Sequence, residues 1–157
     1  MTRVKFCGFT HQDDVIHAVS LGVDALGFVF YAPSSRYVAP EQAKTLMRVV
    51  PAFVTRVGLF VDEEAETVQR TFEIARLNLI QYHGDESPEF CDAVGLPYIK
   101  AFRVQKGMNL RSEIDRYPNA SGFLLDAYVK GQPGGTGEGF DWELIPQSHA
   151  PIILAGG

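Results

Sequence analysis

The chain has 157 residues, with 14 Lys and Arg against 19 Asp and Glu, a formal net charge of -5, 46% hydrophobic residues, 15 Gly and two Cys. A chain of this length buries roughly 70% of the surface that its unfolded form exposes, so one hydrophobic core suffices without disulfide or metal staples, and disordered, collagen-like and coiled-coil classes are excluded. The acidic balance and scattered cations argue against a nucleic-acid groove or an anionic membrane surface, both of which need clustered Lys and Arg.

Val4 to Cys7 reads as a first strand, and a helix follows: Thr10 and Asp13 have capping-box spacing, Val15 and Val19 lie at i and i+4, and Gly22 is a natural stop. A second strand is expected at Ala25 to Phe30. Pro40 then opens a helix whose Ala43, Leu46, Met47 and Val50 repeat at helical spacing. Arg56 to Val61 is the third strand, and Ala65, Val68, Phe72 and Ala75 form the third helical stripe. Leu79 to Tyr82 is the fourth strand. The segment from Ser87 and Pro88 to Gly95 has an N-cap serine, Pro at the first position and Gly past the end. Tyr98 to Val104 is the fifth strand, followed by a helix marked by Leu110, Ile114 and Tyr117. Phe123 to Asp126 is the sixth, a weaker helix starts near Phe140 and Trp142, and Ile152 to Ala155 is the seventh.

Strands separated by helices are parallel, because a right-handed crossover returns the chain to the same end of the sheet. No GxGxxG follows the first strand, and Gly135, Gly137 and Gly139 come after the sixth with the wrong spacing for a dinucleotide site. Polar and Gly-rich signals gather after strands, where a (β/α)8 TIM barrel builds its site. The fold expected is therefore α/β, a (β/α)8 barrel. Cys7 and Cys91 make no CxxC pair, and the four histidines show no HxxxH spacing, so no metal site is expected. With no leader-like stretch and no apolar run of about 18 residues, the protein is expected in the cytoplasm, with reduced thiols.

Several residues stand where a barrel does its chemistry. Cys7 ends the first strand and shares a face with Lys5, whose ammonium favours a thiolate; the competing reading is a small buried hydrophobe beside a snorkelling lysine. Cys91 falls mid-helix and reads as packing. Asp126 closes an apolar strand with no helix after it to cap, which suits an acid, a base or a ligand. His83 ends the fourth strand, with Gln81 on the same face, and reads equally as a satisfied strand-end histidine. Arg36 lies in the loop after the second strand, where its planar fork suits a carboxylate or phosphate, or simply water. The backbone amides of Gly134, Gly135, Thr136 and Gly137, and of Gly156 and Gly157, suit an anionic ligand.

The ordered set of Val4 to Thr10, Ala25 to Phe30 with Ser34 to Val38, Gly58 to Val61, Ile80 to Glu86, Leu125 with Asp126, Gly134 to Gly137 and Leu154 to Gly157 resembles phosphoribosylanthranilate isomerase of tryptophan biosynthesis. Phe6, Phe9 and Tyr82 depart from the aliphatic residues common there. The resemblance implies an Amadori rearrangement of a phosphoribosyl aminoaldose without a cofactor or metal. It makes Asp126 the general acid and Cys7 the base, with Arg36 on the anthranilate carboxylate and His83 at the pocket mouth. Gly156 and Gly157 hold phosphate, and Gly134 to Gly137 are loop contacts. It implies a monomer or homodimer acting on a small phosphosugar, with no nucleic-acid or membrane partner. A barrel of this kind has another helix, strand and helix, on the order of 40 residues. The expectation is thus one C-terminally incomplete barrel domain over residues 1–157, carrying strands one to seven. Two other readings stand beside it: another phosphosugar barrel enzyme of the histidine or tryptophan pathways, or a catalytically inert barrel fragment. An aspartate ending the first strand would favour the histidine-pathway isomerase, and Cys7 stands there instead.

Overall fold

The computed structural model describes residues 1–105, 107–126 and 145–156. They belong to two compact units, Met1–Pro97 and Tyr98–Gly157. All seven expected strands are present: β1 (Lys5–Cys7), β2 (Ala25–Val29), β3 (Thr55–Phe60), β4 (Leu79–Tyr82), β5 (Tyr98–Arg103), β6 (Phe123–Asp126) and β7 (Ile152–Ala155). The helices are α1 (Gln12–Ser20), α2 (Pro40–Leu46), α3 (Ala65–Ile74), α4 (Pro88–Val94) and α5 (Leu110–Asp115), with a 3-10 turn at Met47–Val49. The helix expected near Phe140 and Trp142 lies outside the described residues.

In the first unit β1 to β4 are neighbours in chain order and all parallel, with Cys7 opposite Gly27, Gly27 opposite Val57 and Val57 opposite Leu79. Strand alternation then sorts the side chains onto two faces. Leu26, Phe28, Phe60, Ile80 and Tyr82 are fully buried on one of them. There Phe30 stacks on Phe60 at 5.3 Å between centroids, and Tyr82 meets Phe90 of α4 edge-on at 6.0 Å. Each such side chain contributes roughly 1.5–3 kcal/mol by leaving water. Lys5, Cys7, Gly27, Leu59 and Gln81 share the opposite face.

Helix ends follow the sequence signals in three cases. Ser87 accepts the Phe90 amide, Gly95 takes φ 73° after α4, and Pro40 is the first residue of α2. The capping box expected at Thr10 and Asp13 is not formed. His11 is the N-cap of α1, which begins one residue later than that spacing requires, and the Thr10 hydroxyl is 2.8 Å from His11 Nδ1. Asp13 and Asp14 instead sit in the first turn, where carboxylates complement the helix dipole. After α3, Arg76 adopts φ 52° where a glycine is usual. Its amide bonds to Glu73 and the Leu77 amide to Phe72, the two bonds of a Schellman stop.

In the second unit β5, β6 and β7 are likewise parallel neighbours, with Ala101 opposite Leu124, Leu124 opposite Ile153, and Asp126 between Arg103 and Ala155. Lys100 points to the other face, where Phe102 meets Tyr117 edge-on at 5.8 Å. The Lys100 ammonium lies 5.9 Å from both ring centroids, so this buried lysine makes cation–π contacts on the side away from Asp126.

Candidate active site

Within the first unit, Cys7, Arg36 and His83 all sit at or just past the C-terminal ends of their strands. Cys7 is half-buried at the end of β1. The chain turns immediately after it: Gly8 has φ 97°, and its amide donates to the Gly27 carbonyl at 2.9 Å. Gly27 faces Cys7 across the ladder, and a Cβ there would lie 2.5 Å from Cys7 Sγ and 3.2 Å from its Cα. The missing side chain of β2 is thus the space the thiol occupies. Gly8 plays the same part for Arg36, since a Cβ on it would lie 2.5 Å from Arg36 Cδ and 3.0 Å from Nη1. The Arg36 guanidinium donates to the Cys7 carbonyl at 3.4 Å, which ties the cation to the end of β1 while the side chain stays exposed.

His83 follows β4, and its amide donates to the Phe60 carbonyl at 2.9 Å. Its ring Nδ1 is 2.8 Å from Gln81 Nε2. Gln81 is 2% exposed, and its Oε1 has no hydrogen-bond partner among the described residues. A buried acceptor left so costs about 1–3 kcal/mol. Next to Gln81, the Tyr82 phenol is pushed well above its ordinary range by burial, with Cys91 and Glu86 adding to the effect.

In the second unit Asp126 ends β6, half-buried, on the face it shares with Leu124. Its carbonyl accepts the Val104 amide at 2.9 Å. Arg103 is its cross-strand neighbour, a cation that the sequence reading passed over. Gly156 follows β7 with φ 91°, in the region that glycine favours. Gly157, and the loop residues Gly134, Gly135, Thr136 and Gly137, lie outside the described residues. The reading also assigned no role to Glu86, although burial of a carboxylate so near a strand end is a signal that only the structure exposes.

Parallel strands alternating with helices, and carrying a thiol, a carboxylate, a histidine and glycine turns at their C-terminal ends, define an enzyme of the (β/α)8-barrel class. The model of the N-(5'-phosphoribosyl)anthranilate isomerase family matches residues 4–157. An N-(5'-phosphoribosyl)anthranilate isomerase of Nitrosospira multiformis is 52% identical over 156 residues, covering 99% of this chain and 75% of its own length. The crystal structure of phosphoribosyl anthranilate isomerase from Thermotoga maritima superposes with a TM-score of 0.86 at 35% identity, covering 100% of this chain and 78% of that one. A further isomerase structure, in complex with reduced 1-(o-carboxyphenylamino)-1-deoxyribulose 5-phosphate, gives a TM-score of 0.75 at 39% identity over 80% of this chain and 65% of that one. The chain belongs to the N-(5'-phosphoribosyl)anthranilate isomerase family and carries the first seven strands of its barrel.

Proposed function

We propose that this chain is a cytoplasmic isomerase of tryptophan biosynthesis, and that residues 1–157 belong to one barrel domain whose last helix, strand and helix they do not include. It converts N-(5'-phosphoribosyl)anthranilate to 1-(2-carboxyphenylamino)-1-deoxyribulose 5-phosphate by general acid and base catalysis, without a cofactor. Asp126 gives a proton to the furanose ring oxygen as its bond to C1' breaks, and the nitrogen lone pair forms the Schiff base. The Cys7 thiolate then takes the C2' proton; that electron pair becomes the C1'–C2' double bond, and the iminium pair returns to nitrogen. The resulting enolamine tautomerises to the ketone. Each transfer is worth about 10²–10⁴-fold when the group is well placed.

Arg36 binds the anthranilate carboxylate with its planar fork, and His83 meets the substrate at the pocket mouth. Gly156 and Gly157 present amides to the phosphate, and Gly134, Gly135, Thr136 and Gly137 supply loop contacts to the substrate. The observation that carries the reading is Cys7 ending β1 in a space left by Gly27, with the Arg36 guanidinium against its carbonyl. Anthranilate fluorescence falls as the substrate is consumed, which gives the assay. Cys7→Ser and Asp126→Asn should each lower kcat by at least about 10² with the fold intact. Near-normal turnover by either variant in the full-length protein removes that residue from the mechanism, and turnover by a longer chain alone, with none by residues 1–157, marks these residues as an inert fragment.

A further inference from the structure

The loops that follow β3 and β4 are tied to each other in both directions. Glu86 is only 6% exposed. Its Oε1 accepts the Asp62 amide at 2.9 Å and the Gly84 amide at 3.2 Å, and its Oε2 accepts the Gly84 amide at 3.1 Å. Asp62 returns the contact, its Oδ1 accepting the Asp85 amide at 2.6 Å. Helix capping does not explain Glu86, because Ser87 supplies the cap of α4. A buried carboxylate persists when charge-assisted hydrogen bonds replace its water, and here those bonds come from the backbone of two neighbouring loops.

Two backbone features are arranged around the same contact. Asp62 takes φ 49°, a left-handed conformation that aspartate tolerates better than most residues with a side chain and that turns its carboxylate to the Asp85 amide. Gly84 has no room for a side chain: a Cβ there would run into Asp62 Oδ1 and lie 2.6 Å from its Cγ. His83 lies between these anchors. Its own amide is fixed to Phe60, two residues before Asp62, and the amide of the next residue is fixed to Glu86. Its ring meets Gln81 on the site face.

We propose that Glu86, working with Asp62, is a positioning residue of the isomerase site, whose carboxylate holds the His83 backbone and so sets the direction in which the imidazole meets the substrate. This rests on the reading of His83 as a substrate-binding residue. Glu86 touches no substrate; its effect passes through the loop.

The test uses the full chain with Glu86→Ala, Glu86→Gln, His83→Ala and the Glu86→Ala/His83→Ala pair. Glu86→Ala should lower kcat/KM by about tenfold, mostly through KM, as expected for a binding group displaced by a fraction of an ångström. Glu86→Gln keeps an oxygen acceptor for the Asp62 and Gly84 amides and should recover most of that loss. In the His83→Ala background, Glu86→Ala should cost less than about twofold, because the two losses share one cause. Ring resonances of His83 in the ligand-free protein give a readout independent of activity: one defined set in the unaltered chain, shifted and broadened by Glu86→Ala, and restored by Glu86→Gln. Multiplicative losses in the double variant, or unchanged His83 resonances in Glu86→Ala, overturn the proposal. If Glu86→Ala does not fold, Asp62→Ala removes the other half of the clasp without uncovering a buried charge, and the same non-additivity with His83→Ala is required. Should His83→Ala leave kcat/KM unchanged while Glu86→Ala moves the His83 resonances, the clasp stands and the substrate-binding reading of His83 falls.

Discussion

Replacing Gly27 by alanine adds one methyl group against the Cys7 side chain, where there is no room for it. The new Cβ would lie 2.5 Å from Cys7 Sγ, 3.1 Å from its Cβ and 3.2 Å from its Cα, where ordinary contact begins at 3.4 Å. The sulfur has to retreat by about 0.9 Å, and the backbone atoms of β1 cannot follow freely, because the Gly8 amide is held by the Gly27 carbonyl itself at 2.9 Å. The thiol therefore rotates to another staggered position or β1 moves outward. Either response costs about 1–3 kcal/mol as overpacking, equivalent to a fall in Tm of roughly 2–4 °C for each kcal/mol in a chain of this size. The catalytic effect is larger, since a misplacement of about 1 Å costs on the order of 10² in rate. Gly27→Ala should thus combine a modest loss in Tm, read by thermal unfolding, with a fall of about 10² in kcat, read by substrate fluorescence. A variant with unchanged kcat would show that the thiol's position is not what Gly27 protects.

Arg36→Lys should raise KM with little change in kcat, by an amount corresponding to about 1–2 kcal/mol, because lysine keeps the charge but loses the fork; steady-state kinetics check this. Arg76→Gly should stabilise the chain by about 0.5–1 kcal/mol with turnover unchanged, since it relieves a left-handed conformation at the end of α3, offset in part by a freer unfolded chain; denaturant titration reads the gain. The Tyr82 phenol is raised above its ordinary value of 10.0 by burial first, then by Cys91 and Glu86. The folded chain therefore keeps a proton that the unfolded chain releases, so this contribution is complete below pH 10 and lost as pH rises beyond it. Tyr82→Phe should flatten the decline in Tm above pH 10, and an unaltered alkaline profile would exclude Tyr82 as its source.

Strand positions were legible because they depend on short apolar runs and nearby turn residues. The four residues of β4, β6 and β7 fall where periodicity puts them. The stops at Gly22 and Gly95 were legible for the same local reason, with φ 79° and 73°. Arg76 was not, because nothing in an arginine announces a left-handed conformation; the Schellman bonds of the surrounding turn impose it. Cys7, His83 and Asp126 could be placed at strand ends because alternation is a local property. The roles of Gly27 and Glu86 could not, because each is defined by a residue about 20 or more positions away: Cys7 in one case, Asp62 in the other.

Two of the site residues follow directly on a buried packing residue of their strand: His83 on Tyr82 of β4, and Asp126 on Leu125 of β6. The two sets share one backbone and differ only in parity. Inserting or deleting a single residue within β4 or β6 would exchange them wholesale, sending a ring or an isobutyl group to the chemistry and an imidazole or carboxylate into the oily layer beneath the helices. Length variation compatible with both sets is therefore confined to segments beyond the strand ends. Within the strands themselves, drift has to proceed by substitution alone.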